Sequence, residues 1–572
     1  MTVPTYSNAD SRSPIGGLSH VAGASSPPLS ELTISEWLDL TAARWPSRTA
    51  CVFCDTGLRW TWAQLRDESD KLAAALLRLG FVTGDRLGIW SPNRSEWILA
   101  QYATARIGVV LVNINPAYRL AELEYALNKV QCKGIISAPS FKSSDYLGML
   151  QTLDPELADC APGELQASRL PHLRCVIRMD VQATPGMFNL HHVMALADAQ
   201  SIADARRVGS TLDRNDAVNV QFTSGTTGHP KGATLTHRNI VNNAIAVAAA
   251  MGFNTDDRLC IPVPLYHCFG MVMGSLVCTV TGGTMVFPGE GFDALATLQA
   301  LQDERCTALH GVPTMFIAQL DHSEFRRFDL SALRKGIMAG SPCPVEVMKR
   351  VVTDMHMSEV TTAYCMTETS PVSFQSAPTD PLDKRVSTVG RVMPHLEVKV
   401  IGVDGEVLPV GETGELCTRG YSVMRGYWGD SERTNEAVRD GWMHTGDLAT
   451  IDEAGYGNIV GRVKDMLIRG GENVYPREVE EFLFRHPAVA QVQVFGVPDA
   501  KYGEEVCAWV VLKTGAAATE GELRSFCQDQ IAHFKVPRHF RFVSEIPMTV
   551  TGKAQKFVMR KAMVEELGLG LG

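Results

Sequence analysis

The segment from Val218 to Gly232 gathers hydroxyls, glycines and one amine in an arrangement suited to phosphate oxygens. An apolar, strand-like run feeds a loop carrying Thr223, Ser224, Thr226 and Thr227, interrupted by Gly225 and Gly228 and followed by Lys231. Glycines admit positive φ and close backbone approach. Successive N–H groups and hydroxyls can then surround an anion, and Lys231 adds a mobile positive charge. The spacing is not that of a Walker loop, because no Gly-Lys-Ser/Thr follows Gly225 at the required distance. Taken alone, a glycine-rich loop is more often an ordinary turn.

The whole string is more particular than that, and it resembles the phosphate loop of the adenylate-forming superfamily of acyl-CoA synthetases, luciferases and adenylation domains. Other motifs follow in the family's order. Tyr364 to Glu368 (YCMTE) resembles its aromatic-Gly-x-Thr-Glu motif, and Trp442 to Asp447 (WMHTGD) its Thr-Gly-Asp motif. Gly461 to Asp465, with Arg469 to Pro476, resembles its hinge, and Pro547 to Lys553 (PMTVTGK) its C-terminal lysine motif. The resemblance covers about residues 35 to 565.

It implies a role for each matched position. Glu368 is a hard oxygen ligand suited to Mg²⁺, and Thr367 offers a hydroxyl to the α-phosphate. Tyr364 is expected to stack on adenine beside Gly340, Ser341 and Pro342, whose small or flat side chains admit a ring. Asp447 can accept from both ribose hydroxyls, and Arg462 can donate to ribose and phosphate. Lys553 supplies fixed positive charge where a carboxylate attacks the α-phosphate. Lys464 sits at the expected domain hinge, with Gly470 and Gly471 facing a pantetheine channel after rotation. In isolation each of these residues would be read as a surface charge, a core aromatic or a turn.

The same resemblance places an acid pocket around Tyr266, His267, Phe269, Gly270, Met271 and Met273. Val312, Thr314, Met315, Ala339 and Met366 are further candidates. His267 is read evenly as a partner for the substrate carboxylate and as a hydrogen-bonded pocket histidine. Cys365 replaces the family's usual glycine and is expected to be a wall rather than a nucleophile, since no activating base is indicated. The implied function is ATP-dependent conversion of a carboxylic acid to acyl-AMP, then transfer to coenzyme A. Gln221 and Phe222, Thr236 to Asn239, and Ser370 to Val372 resemble the medium-chain fatty-acid branch. An aryl-acid CoA ligase and a stand-alone adenylation enzyme for a carrier protein remain the alternatives. For an amino-acid substrate, an aspartate is expected after the pocket aromatic, where His267 stands instead. A catalytically silent nucleotide sensor would lack Lys553 or Glu368, and both are present.

Positioning these residues requires an α/β fold. A helix is predicted over 63–79, opened by a Thr61-x-x-Gln64 capping box and closed by Gly80. Strands over 86–90, 109–112 and 134–137 alternate with helices over 95–107 and 121–128. This rhythm predicts mostly parallel sheets covered by helices. After residue 461 the pattern changes to a small, mobile α+β domain, with helices over 478–485, 520–532 and 556–566 and strands over 490–495, 506–512 and 540–543. The expected organisation is a flexible tail over 1–30, an AMP-binding domain over 31–463 and a C-terminal lid over 464–572.

Composition sets the outer limits. The 572-residue chain has 53 Lys plus Arg against 63 Asp plus Glu, a formal charge of −10, which argues against general nucleic-acid or anionic-membrane binding. No Asp, Glu, Lys or Arg occurs from Leu259 to Gly289, yet interspersed Pro and Gly favour a buried helix and strand over a membrane span. Fourteen scattered cysteines suit a reducing compartment, and Cys51 and Cys54 are read as structural. No secretory signal is evident. The cytoplasm is the expected location, with a small acid, ATP and CoA as partners and a homodimer as the assembly to test.

Overall fold

A computed structural model describes residues 13–223, 230–341, 343–470, 472–528, 530–549 and 554–569. Two large sheets carry most of the chain. The first has eight strands in the order Met187–Asn189, Cys175–Arg178, Gly134–Ser137, Arg86–Trp90, Val110–Asn113, Ala217–Thr223, Lys231–Thr236 and Gly426–Tyr427. It is parallel as far as Ala217–Thr223, and the last two strands run antiparallel. The second has nine strands, with a parallel interior running from Thr49–Phe53 to Glu359–Cys365 and antiparallel strands at both ends. Strands such as Gly134–Ser137 and Thr284–Phe287 are buried along their whole length, as expected where helices cover both faces.

The covering helices follow their sequence signals. Trp62–Arg78 starts at the Thr61/Gln64 capping box. Ser95–Ile107 is buried from Trp97 to Ile107 and ends at Gly108 with φ +68°. Arg106 on this helix is joined to Asp70 (2.8 Å) and Asp39 (2.5 Å), tying three helices together. The uncharged run from 259 to 289 forms a helical stretch and the strand Thr284–Phe287. Within it, Met271–Leu276 is a π-helical segment, an irregularity common at functional sites. Among the described residues, no helix is long and apolar enough to cross a membrane.

Two features differ from expectation. Part of the segment read as a tail is ordered: His20–Ala22 pairs antiparallel with Leu396–Ile401. Residues 391–462 also do not continue the parallel rhythm. They build most of a six-stranded antiparallel sheet, through Leu396–Ile401, Gly414–Gly420, Val438–Arg439, Trp442–Ile451 and Gly457–Arg462. Short turns join Val438–Arg439 to Trp442–Ile451 and Trp442–Ile451 to Gly457–Arg462, which sets those pairs antiparallel.

The C-terminal unit begins with the strand Leu467–Arg469 and has its own five-stranded sheet. Helices Pro476–Leu483, Glu520–Cys527 and Lys556–Glu566 accompany it, and it has separate apolar cores. Arg477 donates to the Ile459 carbonyl across the junction with the antiparallel sheet.

Candidate active site

The phosphate-loop strand Ala217–Thr223 and its return strand Lys231–Thr236 place Thr223 opposite Lys231. Ser224, Gly225, Thr226, Thr227 and Gly228 lie outside the described residues, as do Pro342, Gly471 and Lys553. Glu368, on a 3₁₀ turn (Thr367–Thr369) after the strand Glu359–Cys365, reaches the base of the loop. Its Oε1 accepts from the Thr223 hydroxyl (3.0 Å) and the Tyr427 hydroxyl (3.0 Å). It is only 5% exposed. Both donors among the described residues meet Oε1, so the Oε2 edge suits a hard cation. Thr367 shares this turn, and its carbonyl accepts from the Ser370 N–H.

Tyr427 went unnoticed in the sequence. It reaches the site because Tyr427 pairs with Ala233 across two strands. Burial, then the Glu368 charge, pushes its hydroxyl well above the ordinary range, so it stays a donor. Lys231 Nζ sits 4.4 Å from the centre of the same ring, a cation–π contact that holds the amine beside Tyr427.

A second cluster forms where parallel strands of the second sheet end. Gly340 and Ser341 follow Lys335–Ala339, Val312 follows Ala308–Gly311, and Tyr364 lies near the end of Glu359–Cys365. Gly340 has φ +91°, and a Cβ there would lie 3.1 Å from Val312 Cγ1. The Tyr364 hydroxyl donates to Asp447 Oδ2 at 2.6 Å, and Arg462 Nε lies 3.1 Å from Asp447 Oδ1. Burial and the Asp447 charge raise Tyr364 well above its usual range. Both Asp447 oxygens therefore face donors, as a carboxylate shaped for a diol would. The turn carrying Asp447 is held by Glu415, whose Oε1 accepts from the Gly446 N–H at 3.1 Å. The Asp447 N–H bonds Thr445 Oγ1, also at 3.1 Å.

The acid-pocket candidates gather around the π-helical segment. Met271 Sδ receives weak contacts from Asn113 Nδ2 (3.8 Å) and Gln221 Nε2 (3.9 Å), and Met273 Sδ lies 3.8 Å from Cys365 Sγ. Cys365 thus lies against a wall residue. The Phe269 ring is 5.4 Å from buried His310, whose Nε2 donates to the Met273 carbonyl at 3.1 Å. Tyr266 and His267 have ring centres 4.1 Å apart. Gly270 is required sterically, since a Cβ would lie 2.3 Å from the Pro264 carbonyl oxygen. Val312, Met315 and Ala339 are buried, while Thr314 and Met366 are half-buried. Lys464 lies in the connection between Gly457–Arg462 and Leu467–Arg469. Gly470 turns at φ +61° and donates to the Tyr502 carbonyl at 2.9 Å.

Residues 38–428 match the AMP-binding enzyme family, and residues 478–553 match the AMP-binding enzyme C-terminal domain. The chain belongs to this family, as an AMP-forming acyl-CoA synthetase whose co-substrates are ATP and coenzyme A. The medium-chain acyl-CoA ligase ACSF2, mitochondrial, of Danio rerio is 46% identical over 555 residues, covering 96% of this chain and 91% of that protein. The putative acyl-CoA synthetase YngI of Bacillus subtilis (strain 168) is 47% identical over 540 residues, covering 94% and 98%. Among solved structures, ATP-bound MatB from Rhodopseudomonas palustris superposes with a TM-score of 0.80 at 29% identity, covering 93% of this chain and 99% of that one.

Proposed function

We propose that the enzyme activates an uncharged, medium-length aliphatic acid. The supporting observation is the wall formed by Met271, Met273, Val312 and Met315: apolar, adaptable side chains around the irregular helix that suit a flexible alkyl chain. The relatives named as medium-chain ligases point the same way. In the first half-reaction a carboxylate oxygen attacks the α-phosphorus and pyrophosphate leaves. In the second, the CoA thiol attacks the acyl carbonyl and AMP leaves.

In this reading Thr223 and Lys231, with Ser224 to Gly228, hold the phosphates. Tyr364, Gly340, Ser341 and Pro342 flank adenine, Asp447 and Arg462 take the ribose, and Thr367 meets the α-phosphate. Glu368 would hold Mg²⁺, and the buried carboxylate with its donors on one oxygen fits that ion. The bound ion would neutralise phosphate charge. Lys553, on the lid over 464–572, supplies the charge for adenylation, while Gly470 and Gly471 serve the thioester step. His267 partners the substrate carboxylate.

The reducing cytoplasm is the proposed compartment, supported by fourteen free thiols, and a homodimer is the proposed assembly, to be read by light scattering. The deciding experiment measures pyrophosphate release over a panel of acids. Hexanoate to dodecanoate should give the highest kcat/KM. Preference for benzoates, amino acids or dicarboxylates would overturn the assignment of the acid.

A further inference from the structure

Three donors of different chemistry meet on one face of the antiparallel sheet, behind the turn that carries Asp447. Glu415 and Cys417 are two apart on the strand Gly414–Gly420 and so point to the same side. Cys417 pairs directly with His444 on the neighbouring strand. His444 Nδ1 lies 3.1 Å from Glu415 Oε2 and 3.7 Å from Cys417 Sγ. The three ligand atoms all lie within 4.8 Å of one another.

The 3.1 and 3.7 Å separations from His444 Nδ1 are close to the edges of a metal tetrahedron. With donors at ~2.0 Å (N, O) and ~2.3 Å (S), tetrahedral angles put neighbouring ligand atoms roughly 3.3–3.6 Å apart. One ring nitrogen faces both the carboxylate and the sulfur, so a single central ion can reach all three. We propose that Glu415, Cys417 and His444 form a binding site for a zinc-class divalent ion, with a fourth position open to water.

The donor set selects the ion. A thiolate and an imidazole favour zinc-class metals over Mg²⁺ or Ca²⁺, which separates this site from the carboxylate at Glu368. Binding forms metal–sulfur, metal–nitrogen and metal–oxygen bonds and releases the Cys417 thiol proton to solvent; no electron transfer is involved. Entry is open from the side of His444 and Glu415, whose side chains are 17% and 26% exposed, while Cys417 lies at the buried end. Glu415 Oε1 remains on the Gly446 N–H, so the ion ties one strand to the ribose-side turn of the next. An ordinary cross-strand ion pair between Glu415 and His444 would use the same residues without metal, and the experiment separates the two.

Co²⁺ serves as the probe. Titrated into the full-length enzyme without nucleotide, it should bind one equivalent and give a thiolate-to-cobalt charge-transfer band that equimolar Zn²⁺ abolishes. Cys417→Ser should remove the band while leaving basal acyl-CoA synthesis unchanged, and His444→Gln should weaken Co²⁺ binding at least tenfold. Absence of a band in the parent enzyme would overturn the proposal. So would a band of equal intensity in Cys417→Ser, which would assign the metal to one of the other partly exposed thiols, Cys54, Cys160 or Cys365.

Discussion

Tyr427 supports the phosphate side of the site twice, by donating to Glu368 and by carrying Lys231 on its ring. Tyr427→Phe keeps the ring and removes only the hydroxyl. A hydrogen bond to a charged group contributes about 1.5–3 kcal/mol, so kcat/KM for ATP should fall at least tenfold. Steady-state ATP titration checks this, and unchanged kinetics would detach Tyr427 from the site. His310 offers a test of stability. Ile337 N–H donates to its Nδ1 and its Nε2 donates to Met273, so the ring is neutral. Burial lowers its pKa from 6.5 to about 4, and does the same to His237. Above pH 6.5 neither state takes up a proton there. Between 6.5 and 4 the unfolded chain binds protons that the folded chain refuses, so stability falls as pH falls, by about 3 kcal/mol per residue at pH 4. His310→Gln preserves one donor and one acceptor without titrating. Its urea midpoint should therefore decline less between pH 7 and pH 5 than that of the parent enzyme.

At the scale of elements, the helix layer depends on a charge cluster inside it. Arg106, 4% exposed, bridges Asp70, which is 1% exposed, and Asp39, while Arg206 also reaches Asp70. Breaking a buried pair costs about 3–5 kcal/mol, and removing Arg106 leaves Asp70 with the half-exposed Arg206 as its partner, which places the cost at the low end. Arg106→Leu should therefore lower urea stability by about 3 kcal/mol. Adding Asp70→Asn should restore part of that loss, because the pair is coupled. The same scale shows what could be read from the sequence. The helix opened by Thr61 and Gln64 and the strand Gly134–Ser137 were legible, because capping and apolar runs are local signals. Glu368, Tyr364 and Asp447 were legible because they stand in compact motifs. The antiparallel sheet over 391–462 was not: Leu396–Ile401 alternates, but Gly414–Gly420 and Trp442–Ile451 do not. Tyr427 and Glu415 were missed for a related reason: cross-strand register, not spacing along the chain, brings them to the site.

For the whole molecule, the question is how the two proposed half-reactions are separated. The proposed catalytic Lys553 and the proposed hinge at Lys464 are about 90 residues apart in sequence, so they can be perturbed separately. Lys553→Ala should slow acyl-AMP formation by about 10²–10³-fold, since one fixed charge at a developing oxyanion is worth about 3–4 kcal/mol. It should leave CoA attack on preformed acyl-AMP nearly unchanged. Lys464→Pro stiffens the connection and should do the reverse, with pyrophosphate forming normally and thioester lagging. Single-turnover assays, one from acid plus ATP and one from synthetic acyl-AMP plus CoA, read the two steps. Equal slowing of both by Lys553→Ala would exclude alternating domain positions.

The pairing of His20–Ala22 with Leu396–Ile401 also sets a timetable for synthesis. Once synthesised, this strand waits for a partner roughly 380 residues downstream, which at roughly 5–20 residues per second takes about 20–75 s. During that interval the nascent chain carries an unmatched β-edge, the kind of surface that recruits holding chaperones or pairs with another chain. Slow codons placed before residue 396 would lengthen the exposure, and faster translation there would shorten it. The yield of native enzyme should then depend on translation speed as well as on the stability of the finished fold.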